Sequence, residues 1–476
     1  MVGLTSTTTD SAAPQRRPSL SETWDVIVVG GGPGGVSAAV AAARTGARTL
    51  LIEQCGYLGG ALTAMGVSPM MTFHAGGTQV VRGIPAEVVE RLVARGWSPG
   101  HIEDPVGFAS SVTPFAPEGL KIVLDEICEE SGVAVLFHST LIDCVADDSL
   151  VRAIRVTSKR GPMTLRARVF VDATGDADLA AAAGVPTRQG RDGDGATQPM
   201  TMNLKVYGVD SRALDEFQRL HPDQTYQGDG ARVARSARSG ISGAYRILAE
   251  ARSRGDLSYE REAVLAFEGA VPGEFTINMS RIAGLDPTDP LERSRAEVIG
   301  RRQADETVRF LRAHVPGFEH CRLMGTGPSI GVRESRRIRG MHEFTARELV
   351  TNTMFGDAVS MGGYPIDLHD PDGRSTTHYV SLREGSWYSI PYRSLVPREL
   401  GNLIVAGRCL SATQDALAAV RVTPVAMGFS QASGTAAALA ARTDAVTDLR
   451  TLDATALRTR LTADGVFLDA YRERRG

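Results

Sequence analysis

A glycine-rich segment close to the N-terminus constrains the fold more than any other feature of the sequence. Residues 24–29 (Trp-Asp-Val-Ile-Val-Val) predict a buried β-strand, because β-branched side chains dominate the run. The segment 30–35 (Gly-Gly-Gly-Pro-Gly-Gly) follows directly, and an alanine-rich helix is predicted from Val36 to Thr45. A second strand is predicted over residues 48–53, which completes a βαβ unit of about 30 residues. The chain is therefore predicted to contain a parallel α/β sheet.

The spacing of these glycines predicts a dinucleotide site at the first turn. Gly30 permits a tight turn, Gly32 lets the backbone approach a diphosphate, and Gly35 allows the helix to pack closely on the strand. Glu53 ends the second strand, close to the ~20-residue spacing of an acidic side chain that accepts hydrogen bonds from ribose hydroxyls. A glycine-rich turn without a ligand is the alternative.

Further segments extend this pattern over most of the chain. They read IVVGGGPGGVSAAVAAARTG (27–46), GYLGGALTAMG (56–66), RVFVDATGDADLAAAAG (168–184), IGVRESRRIRG (330–340), IPYRSLVPRELGNLIVAGR (390–408) and RVTPVAMGFSQASGTAAALA (421–440). Together they resemble the FAD-dependent oxidoreductases of the glutathione-reductase-like superfamily. The resemblance is closest to the branch related to the fumarate reductase and succinate dehydrogenase flavoproteins.

The resemblance implies FAD as the cofactor and an α/β fold. The expected architecture is a Rossmann-like FAD-binding domain, a parallel sheet with helices and a β-meander, into which an α+β substrate domain is inserted. The expected ranges are a disordered tail (1–23), the first part of the FAD-binding domain (24–200), the substrate or cap domain (201–385), the second part of the FAD-binding domain (386–445) and a C-terminal helical tail (446–476).

FAD is long, so distant parts of the sequence must contact it. Residues 172–175 and 402–407 end predicted strands with small residues, and a helix is predicted to start at Thr423-Pro424. The positive end of that helix suits the flavin edge on which negative charge develops; core packing is the alternative. Arg408 stands where many relatives have an acidic residue. The expected FAD-binding residues are Gly30, Gly32, Pro33, Gly34, Gly35, Glu53, Gln54, Gly59, Gly60, Ala61, Thr63, Ile142, Ala173, Thr174, Gly175, Gly407, Arg408, Pro424 and Met427.

Two arginines are candidates for substrate contacts. Arg333 lies in a run with Glu334 and three more arginines, at 336, 337 and 339. The run predicts either a clamp for a carboxylate or other anion, with Arg333 facing inward, or a solvated face with salt bridges. Arg421 immediately precedes the cofactor helix and is predicted to contact flavin or substrate.

Three further side chains are candidates for proton transfer or hydrogen bonding. His74 follows the segment 56–66 and is predicted to act as a base or, alternatively, as a flavin attachment point. His369 lies in a polar loop of the inserted domain and is a second candidate base, because a neutral imidazole takes up protons near neutral pH. Tyr392 precedes the last cofactor segment and is predicted to donate to substrate; core packing is the alternative.

Composition excludes several classes of site and partner. The cysteines at 55, 128, 144, 321 and 409 form no C-x-x-C pair, which argues against zinc ribbons, iron–sulfur clusters and a thiol–disulfide relay, and no metal site is predicted. A formal net charge of −3 gives no basic excess for nucleic acid. No apolar run approaches the ~20 residues of a membrane span, and no apolar signal segment is present, so a cytoplasmic location is expected.

These features predict an FAD-dependent dehydrogenase or oxidase. It would remove two electrons from a small polar or anionic organic substrate by hydride transfer to flavin N5, with a place in secondary metabolism as one possibility. The electron acceptor (oxygen, a quinone, NAD(P) or a protein) and the oligomeric state stay open. The alternatives are a flavin-dependent monooxygenase and a non-redox flavoprotein or electron-transfer subunit.

Overall fold

The structure, a computed structural model, describes residues 23–147, 149–226, 228, 233, 235–373, 377–442 and 448–471. The predicted disordered tail therefore lies outside the described residues, except for Thr23. The helices of the described part are α1 (Pro33–Arg44), α2 (Ile84–Ala94), α3 (Pro117–Glu130), α4 (Asp178–Ala182), α5 (Ser211–Leu220), α6 (Tyr245–Arg254), α7 (Pro290–His314), α8 (Ala346–Val350), α9 (Gln414–Val420), α10 (Thr423–Ala441) and α11 (Ala454–Ala463). None of the described helices is both long and apolar enough to cross a lipid bilayer.

The strands are short and distributed over the whole described chain. They are β1 (Trp24–Val29), β2 (Thr49–Ile52), β3 (Met70–Met71), β4 (His74–Ala75), β5 (Thr78–Gln79), β6 (Val112–Thr113), β7 (Ala134–Leu136), β8 (Thr140–Ala146), β9 (Val151–Ser158), β10 (Gly161–Leu165), β11 (Ala167–Asp172), β12 (Thr187–Gln189), β13 (Leu204–Tyr207), β14 (Gly240–Gly243), β15 (Val264–Glu268), β16 (Phe275–Ile277), β17 (Arg322–Thr326), β18 (Arg336–Ile338), β19 (Ala358–Gly362), β20 (Ile366–Leu368), β21 (His378–Val380), β22 (Tyr388–Pro391) and β23 (Leu403–Val405).

The FAD-binding part of the predicted architecture contains a five-stranded parallel sheet in the order β23-β11-β1-β2-β7. Four of its strands lie within residues 24–172, and β23 joins them from late in the chain. Every neighbouring pair in this sheet is parallel, and the predicted βαβ unit is confirmed as β1-α1-β2. Helix α1 begins at Pro33, ahead of the predicted start at Val36. Proline suits this first turn because its φ is already helical and its missing N–H would have no partner there.

Two antiparallel sheets complete the expected architecture. Strands β8, β9 and β10 form a meander beside the parallel sheet. The sheet β14-β15-β16-β13-β17 belongs to the inserted α+β region. The predicted fold class, a Rossmann-like parallel sheet with a β-meander and an α+β insertion, is therefore confirmed.

The buried side chains form two separate hydrophobic cores. The first core combines residues from 24–185 with residues from 338–468, and the second core lies within 200–332. The chain thus leaves the first core once and later returns to it. Buried side chains from 338–366 pack with the first core. Within that core, β19 pairs with β22. The domain boundaries themselves remain a prediction.

Helices α1 and α10 pack backbone to backbone in the first core. A Cβ atom placed on Gly434 would lie 1.9 Å from the carbonyl oxygen of Ala38, so only glycine permits this approach. Nearer the N-terminus of α1, a Cβ on Gly34 would lie 2.7 Å from Ser430 Oγ. The two helices are therefore held at a fixed separation by small residues.

Candidate active site

A cavity of about 630 Å³ lies between the parallel sheet and the inserted sheet. Small-molecule sites typically occupy about 300–1,000 Å³. The carboxyl ends of the parallel strands line one side through Val29, Ile52, Ala173 and Gly407, and the inserted sheet lines the other side through residues such as Leu265. Open α/β sheets bind ligands outside the carboxyl ends of their strands, so the cavity is where a dinucleotide is expected.

The glycine-rich turn leaves room for a diphosphate. A Cβ atom added to Gly32 would meet no atom within 4 Å, and Gly32 lines the cavity together with Pro33 and Gly34. By contrast, a Cβ on Gly35 would lie 1.8 Å from the carbonyl oxygen of Gly30, which has a φ of +106°. Gly35 is thus required by the packing of α1 on the turn after β1, and Gly30 by its positive φ and the backbone of Ala173, whereas Gly32 is required only by what occupies the cavity.

Glu53 follows β2, with its carboxylate fixed by two backbone groups. The N–H of Gly31 donates to Glu53 Oε2 over 2.7 Å, and the N–H of Cys55 donates to Oε1 over 2.7 Å. A carboxylate offers about four acceptor positions, so capacity remains for ribose hydroxyls. Residues 139–141 line the cavity beside it, whereas the side chain of Ile142 is exposed and lies outside the lining.

Arg408 forms an ion pair with Asp176, which lies just after β11. Asp176 Oδ1 also accepts a hydrogen bond from Ser335 Oγ over 2.5 Å. Burial tends to raise the pKa of Asp176, but Arg408 and Ser335 outweigh burial and hold that pKa below its usual value. Arg408 stands where many relatives have an acidic residue, and the carboxylate of Asp176, just after the neighbouring strand β11, lies beside it. Arg408 lines the cavity, and its Nε has no partner among the described residues.

These features fit FAD. The open space at Gly32, the equally open space at Gly407 and the unpaired Nε of Arg408 all border the cavity, and a bound diphosphate and ribityl chain would use each of them. The expected FAD-binding residues that line the cavity are Gly30, Gly32, Pro33, Gly34, Glu53, Gln54, Gly60, Ala61, Ala173, Thr174, Gly175, Gly407 and Arg408.

The other expected FAD-binding residues stand behind the lining or beside it. The N–H of Gly59 donates to the Gly31 carbonyl over 2.9 Å, and Thr63 Oγ1 donates to the Leu58 carbonyl over 2.8 Å, so both brace the loop next to the glycine-rich turn. Gly35 supports α1, and Ile142 points outward.

Helix α10 presents a different face to the cavity than the sequence predicts. It begins at Thr423, with Val422 as its N-cap residue and no side-chain cap. Val422, Thr423 and Ala426 line the cavity, whereas Pro424 and Met427 are buried outside the lining.

Four guanidinium groups meet at the end of the cavity beside the inserted sheet. This arginine cluster consists of Arg261, Arg281, Arg333 and Arg421. Burial, together with the charges of Arg421 and Arg261, lowers the pKa of Arg333 to about 9. Burial and the charge of Arg281 lower the pKa of Arg261 to about 10. Like charges in a buried space destabilise the folded chain unless an anion offsets them.

Arg333 is surrounded by uncharged hydrogen-bond acceptors. They are Pro199 O at 2.7 Å, Asn278 Oδ1 at 3.2 Å and Thr201 Oγ1. Arg421 Nη2 donates to the backbone carbonyl of Asp367 over 3.3 Å, and its Nε has no partner among the described residues. The cluster therefore has the charge and the unpaired donors to bind a carboxylate or phosphate.

His369 belongs to a buried chain of polar groups next to the arginine cluster. Its Nε2 lies 3.6 Å from Asp367 Oδ2, and its Nδ1 lies 3.1 Å from Thr377 Oγ1. Tyr364 donates its hydroxyl to Asp367 Oδ2 over 3.2 Å. Burial, followed by the charge of Arg333, lowers the pKa of His369 to about 3, so its imidazole is neutral at pH 7. His369, Asp367, Thr377 and Tyr364 all line the cavity.

Two candidate residues lie away from the cavity lining. His74 Nδ1 is 2.9 Å from Ser111 Oγ, and the ring of His74 lies 5.0 Å from that of His101. The hydroxyl of Tyr392 donates to the Leu449 carbonyl over 2.9 Å within the first core. The structure thus brings Arg333, Arg421 and His369 together and leaves His74 and Tyr392 apart from them.

The arginine run around Arg333 differs from a solvated face, because the ion pair of Arg337 with Glu334 is buried. Arg333 lines the cavity, Arg336 and Arg337 form ion pairs with carboxylates, and the side chain of Arg339 is exposed. Four further lining residues, Arg261, Arg281, Asp367 and Tyr364, were not predicted from the sequence. Asp367 and Tyr364 precede His369 in the same polar loop, but no motif marks the two arginines of the inserted region.

Comparison with known proteins adds two relatives, one named a reductase and one named a hydroxylase. Digeranylgeranylglycerophospholipid reductase of Thermoplasma volcanium is 26% identical over 165 residues, which cover 32% of this chain and 40% of that protein. Aklavinone 12-hydroxylase DnrF of Streptomyces peucetius is 32% identical over 172 residues, which cover 32% of this chain and 35% of that protein. The chain thus matches less than half the length of either relative.

Among solved structures, a geranylgeranyl bacteriochlorophyll reductase-like protein of Thermoplasma acidophilum aligns over 94% of both chains, with 11% identity and a TM-score of 0.45. OxyS anhydrotetracycline hydroxylase of Streptomyces rimosus aligns over 88% of this chain and 62% of its own, with 12% identity and a TM-score of 0.46. The family described as FAD dependent oxidoreductase matches residues 25–461, nearly the whole described chain. The protein is therefore an enzyme that uses FAD, and it belongs to the FAD dependent oxidoreductase family.

Proposed function

We propose that the enzyme is a dehydrogenase or oxidase that removes two electrons from a small anionic organic substrate. The observation that supports this most directly is Arg333, a guanidinium at the cavity wall whose described acceptors are all uncharged. FAD, when bound, accepts the hydride from the substrate carbon. The matching proton leaves the substrate oxygen or nitrogen, so that a C–H and an O–H or N–H bond become C=O or C=N.

Within this proposal, the residues of the cavity have separate tasks. Arg333 and Arg421 hold the anionic group and thereby orient the reacting carbon. Thr377 Oγ1 lines the cavity and lies 3.1 Å from His369 Nδ1, so the hydroxyl relays the proton to the imidazole. Asp367, on the other side of the ring, fixes its orientation and stabilises the imidazolium.

Anaerobic mixing of the FAD-loaded enzyme with possible substrates tests this proposal. We expect 2-hydroxy and 2-amino carboxylates to bleach the flavin absorbance, and we expect the corresponding amides to leave it unchanged. Bleaching by neutral alcohols or amines at equal rates would contradict the role of the arginine cluster.

A flavin-dependent monooxygenase is the second candidate, because one relative is named a hydroxylase. In that case the flavin would be bleached by NADH or NADPH instead, and reoxidation in air would yield a hydroxylated product. The same anaerobic experiment with reduced nicotinamides therefore separates the two. A specific relation to the fumarate reductase branch and a role in secondary metabolism also remain proposals, the former supported by the segments 168–184 and 421–440.

The pH dependence of kcat/KM tests the assignment of His369 as the proton acceptor. Burial and Arg333 lower the pKa of His369 to about 3 from an ordinary value of 6.5, so the imidazole is already neutral at pH 5. We expect wild-type kcat/KM to show no loss from this group between pH 8 and about pH 5.

The Arg333→Gln variant removes one positive charge beside the ring, which raises the pKa of His369. As the pH is lowered, kcat/KM of the variant should therefore begin to decrease at a higher pH than kcat/KM of the wild type. This comparison does not depend on the absolute rate of the variant. A profile of unchanged shape in the variant would contradict the assignment of His369.

A further inference from the structure

We propose that the substrate is an aromatic carboxylate, whose ring packs against an aromatic wall and whose anionic group binds the arginine cluster. The aromatic wall consists of Phe108, Tyr226, Tyr364 and Tyr379, all of which line the cavity. The inference rests on the proposed oxidation of an anionic substrate and names the chemical class of that substrate.

The rings of the aromatic wall are grouped around Phe108. The centroid of Phe108 lies 4.6 Å from that of Tyr379, 5.8 Å from that of Tyr364 and 6.5 Å from that of Tyr226. The hydroxyl of Tyr379 donates to the Phe108 carbonyl over 3.3 Å, which fixes two of the rings relative to each other. Tyr364 is only 4% exposed, whereas Tyr226 is 40% exposed, so the aromatic wall extends from the interior towards the surface.

The aromatic wall adjoins the arginine cluster at Asp367. Tyr364 donates its hydroxyl to Asp367 Oδ2 over 3.2 Å, and Arg421 donates to the backbone carbonyl of Asp367 over 3.3 Å. A ligand of modest length therefore contacts ring surface and guanidinium groups together. An unsubstituted ring would use only the wall, and a short aliphatic acid would use only the cluster.

The charge beside the wall decides which kind of ligand it takes. Aromatic side chains grouped around a cavity commonly bind cations through their ring faces. Here the arginine cluster lies at the same end of the cavity, where its four guanidinium groups outnumber the carboxyl groups of Asp367 and Glu262, so the net charge repels a cation that approaches the rings. The combination favours a ligand that is flat and apolar at one end and negative at the other, because aromatic rings stack on one another at separations of about 4.5–7 Å.

Four probes separate ring stacking from charge. We would titrate the FAD-loaded enzyme with benzoate, cyclohexanecarboxylate, 2-naphthoate and 2-naphthamide, and measure Kd from the flavin absorbance change and by calorimetry. We expect 2-naphthoate to bind most tightly and benzoate to bind about fivefold more tightly than cyclohexanecarboxylate, which has a ring but no π face. We expect 2-naphthamide, which lacks the charge, to bind at least about tenfold more weakly than 2-naphthoate.

A pair of variants assigns the preference to the wall. In Phe108→Leu, benzoate and cyclohexanecarboxylate should bind with similar Kd values while the flavin content stays at the wild-type level. The control is Phe355→Leu, a ring that packs against Phe344 and His342 outside the cavity lining and should keep the fivefold preference. Calorimetry provides a readout that does not depend on turnover.

Two outcomes would overturn the inference. Either cyclohexanecarboxylate binds as tightly as benzoate to the wild-type enzyme, or Phe108→Leu retains the preference. Flavin bleaching by aliphatic carboxylates, together with either result, would leave the proposed oxidation intact and refute only the aromatic class. Tight binding of 2-naphthoate, with no carboxylate able to bleach the flavin, would refute the oxidation and leave the aromatic class intact.

Discussion

Replacing Gly32 with valine is expected to yield a folded protein that contains no flavin. The backbone at Gly32 has φ −66° and ψ 179°, a conformation open to any residue, and a Cβ atom there would meet no atom of the chain within 4 Å. The valine side chain would instead fill cavity space next to Pro33 and Gly34, where the cofactor diphosphate is expected. The purified variant should be colourless, with a circular dichroism spectrum like that of the wild-type apoprotein.

Two further glycine variants make this test specific. Gly325→Val adds the same side chain at an equally open position, on the edge strand β17 outside the cavity lining, and should bind flavin normally. Gly35→Val should fail to fold, because its Cβ would lie 1.8 Å from the Gly30 carbonyl. A stoichiometric, yellow Gly32→Val protein would refute the placement of the diphosphate.

Replacing Arg333 with glutamine is expected to lower kcat/KM by about 10³-fold without lowering the melting temperature. Truncating one partner of a buried charge pair with a ligand costs about 2–5 kcal/mol, and a loss of about 10³-fold lies within that range. The free enzyme, however, holds Arg333 beside three other guanidinium groups. Glutamine relieves that repulsion and can still hydrogen-bond to Asn278, so the fold should be at least as stable.

The pair of measurements distinguishes a substrate contact from a structural role. Loss of activity together with a lower melting temperature would mean that Arg333 supports the fold instead. Arg339→Gln provides the matched control, because this arginine belongs to the same run and its side chain is exposed. Its kcat/KM should remain within about twofold of the wild type, as for most surface substitutions.

Local features of the sequence predicted the cofactor half of the fold well. The turn between β1 and α1 depends on residues that are neighbours in the chain, so the glycine spacing is sufficient to place it. The same holds for Glu53 at the end of β2. The differences from the cavity lining are small shifts along an element: Leu141, not Ile142, lines the cavity, and α10 presents Ala426 rather than Met427. A shift of one residue turns a side chain to another face, and no local pattern fixes that rotation.

The substrate end depends on contacts that no local pattern contains. Arg261 and Arg281 flank β15 and β16 in the inserted sheet, whereas Arg333 and Arg421 belong to segments of the family pattern. They meet only because the inserted sheet folds back over the carboxyl ends of the parallel strands. Four guanidinium groups beside one buried carboxylate, Asp367, depart from the usual rule that interiors pair their charges, and a bound anion would offset the excess.

The contact between Gly434 of α10 and Ala38 of α1 sets the distance between the N-termini of these helices as well as their packing. The N-terminus of α1 lies at the glycine-rich turn, and the N-terminus of α10 lies farther along the same cavity, at Val422 and Thr423. Because the two helices touch through their backbones, their separation fixes the distance between these two points. Position 434 lies outside the cavity lining, yet a larger residue there would increase the distance between the N-termini of α1 and α10. This would alter how well a cofactor of fixed length spans the two points.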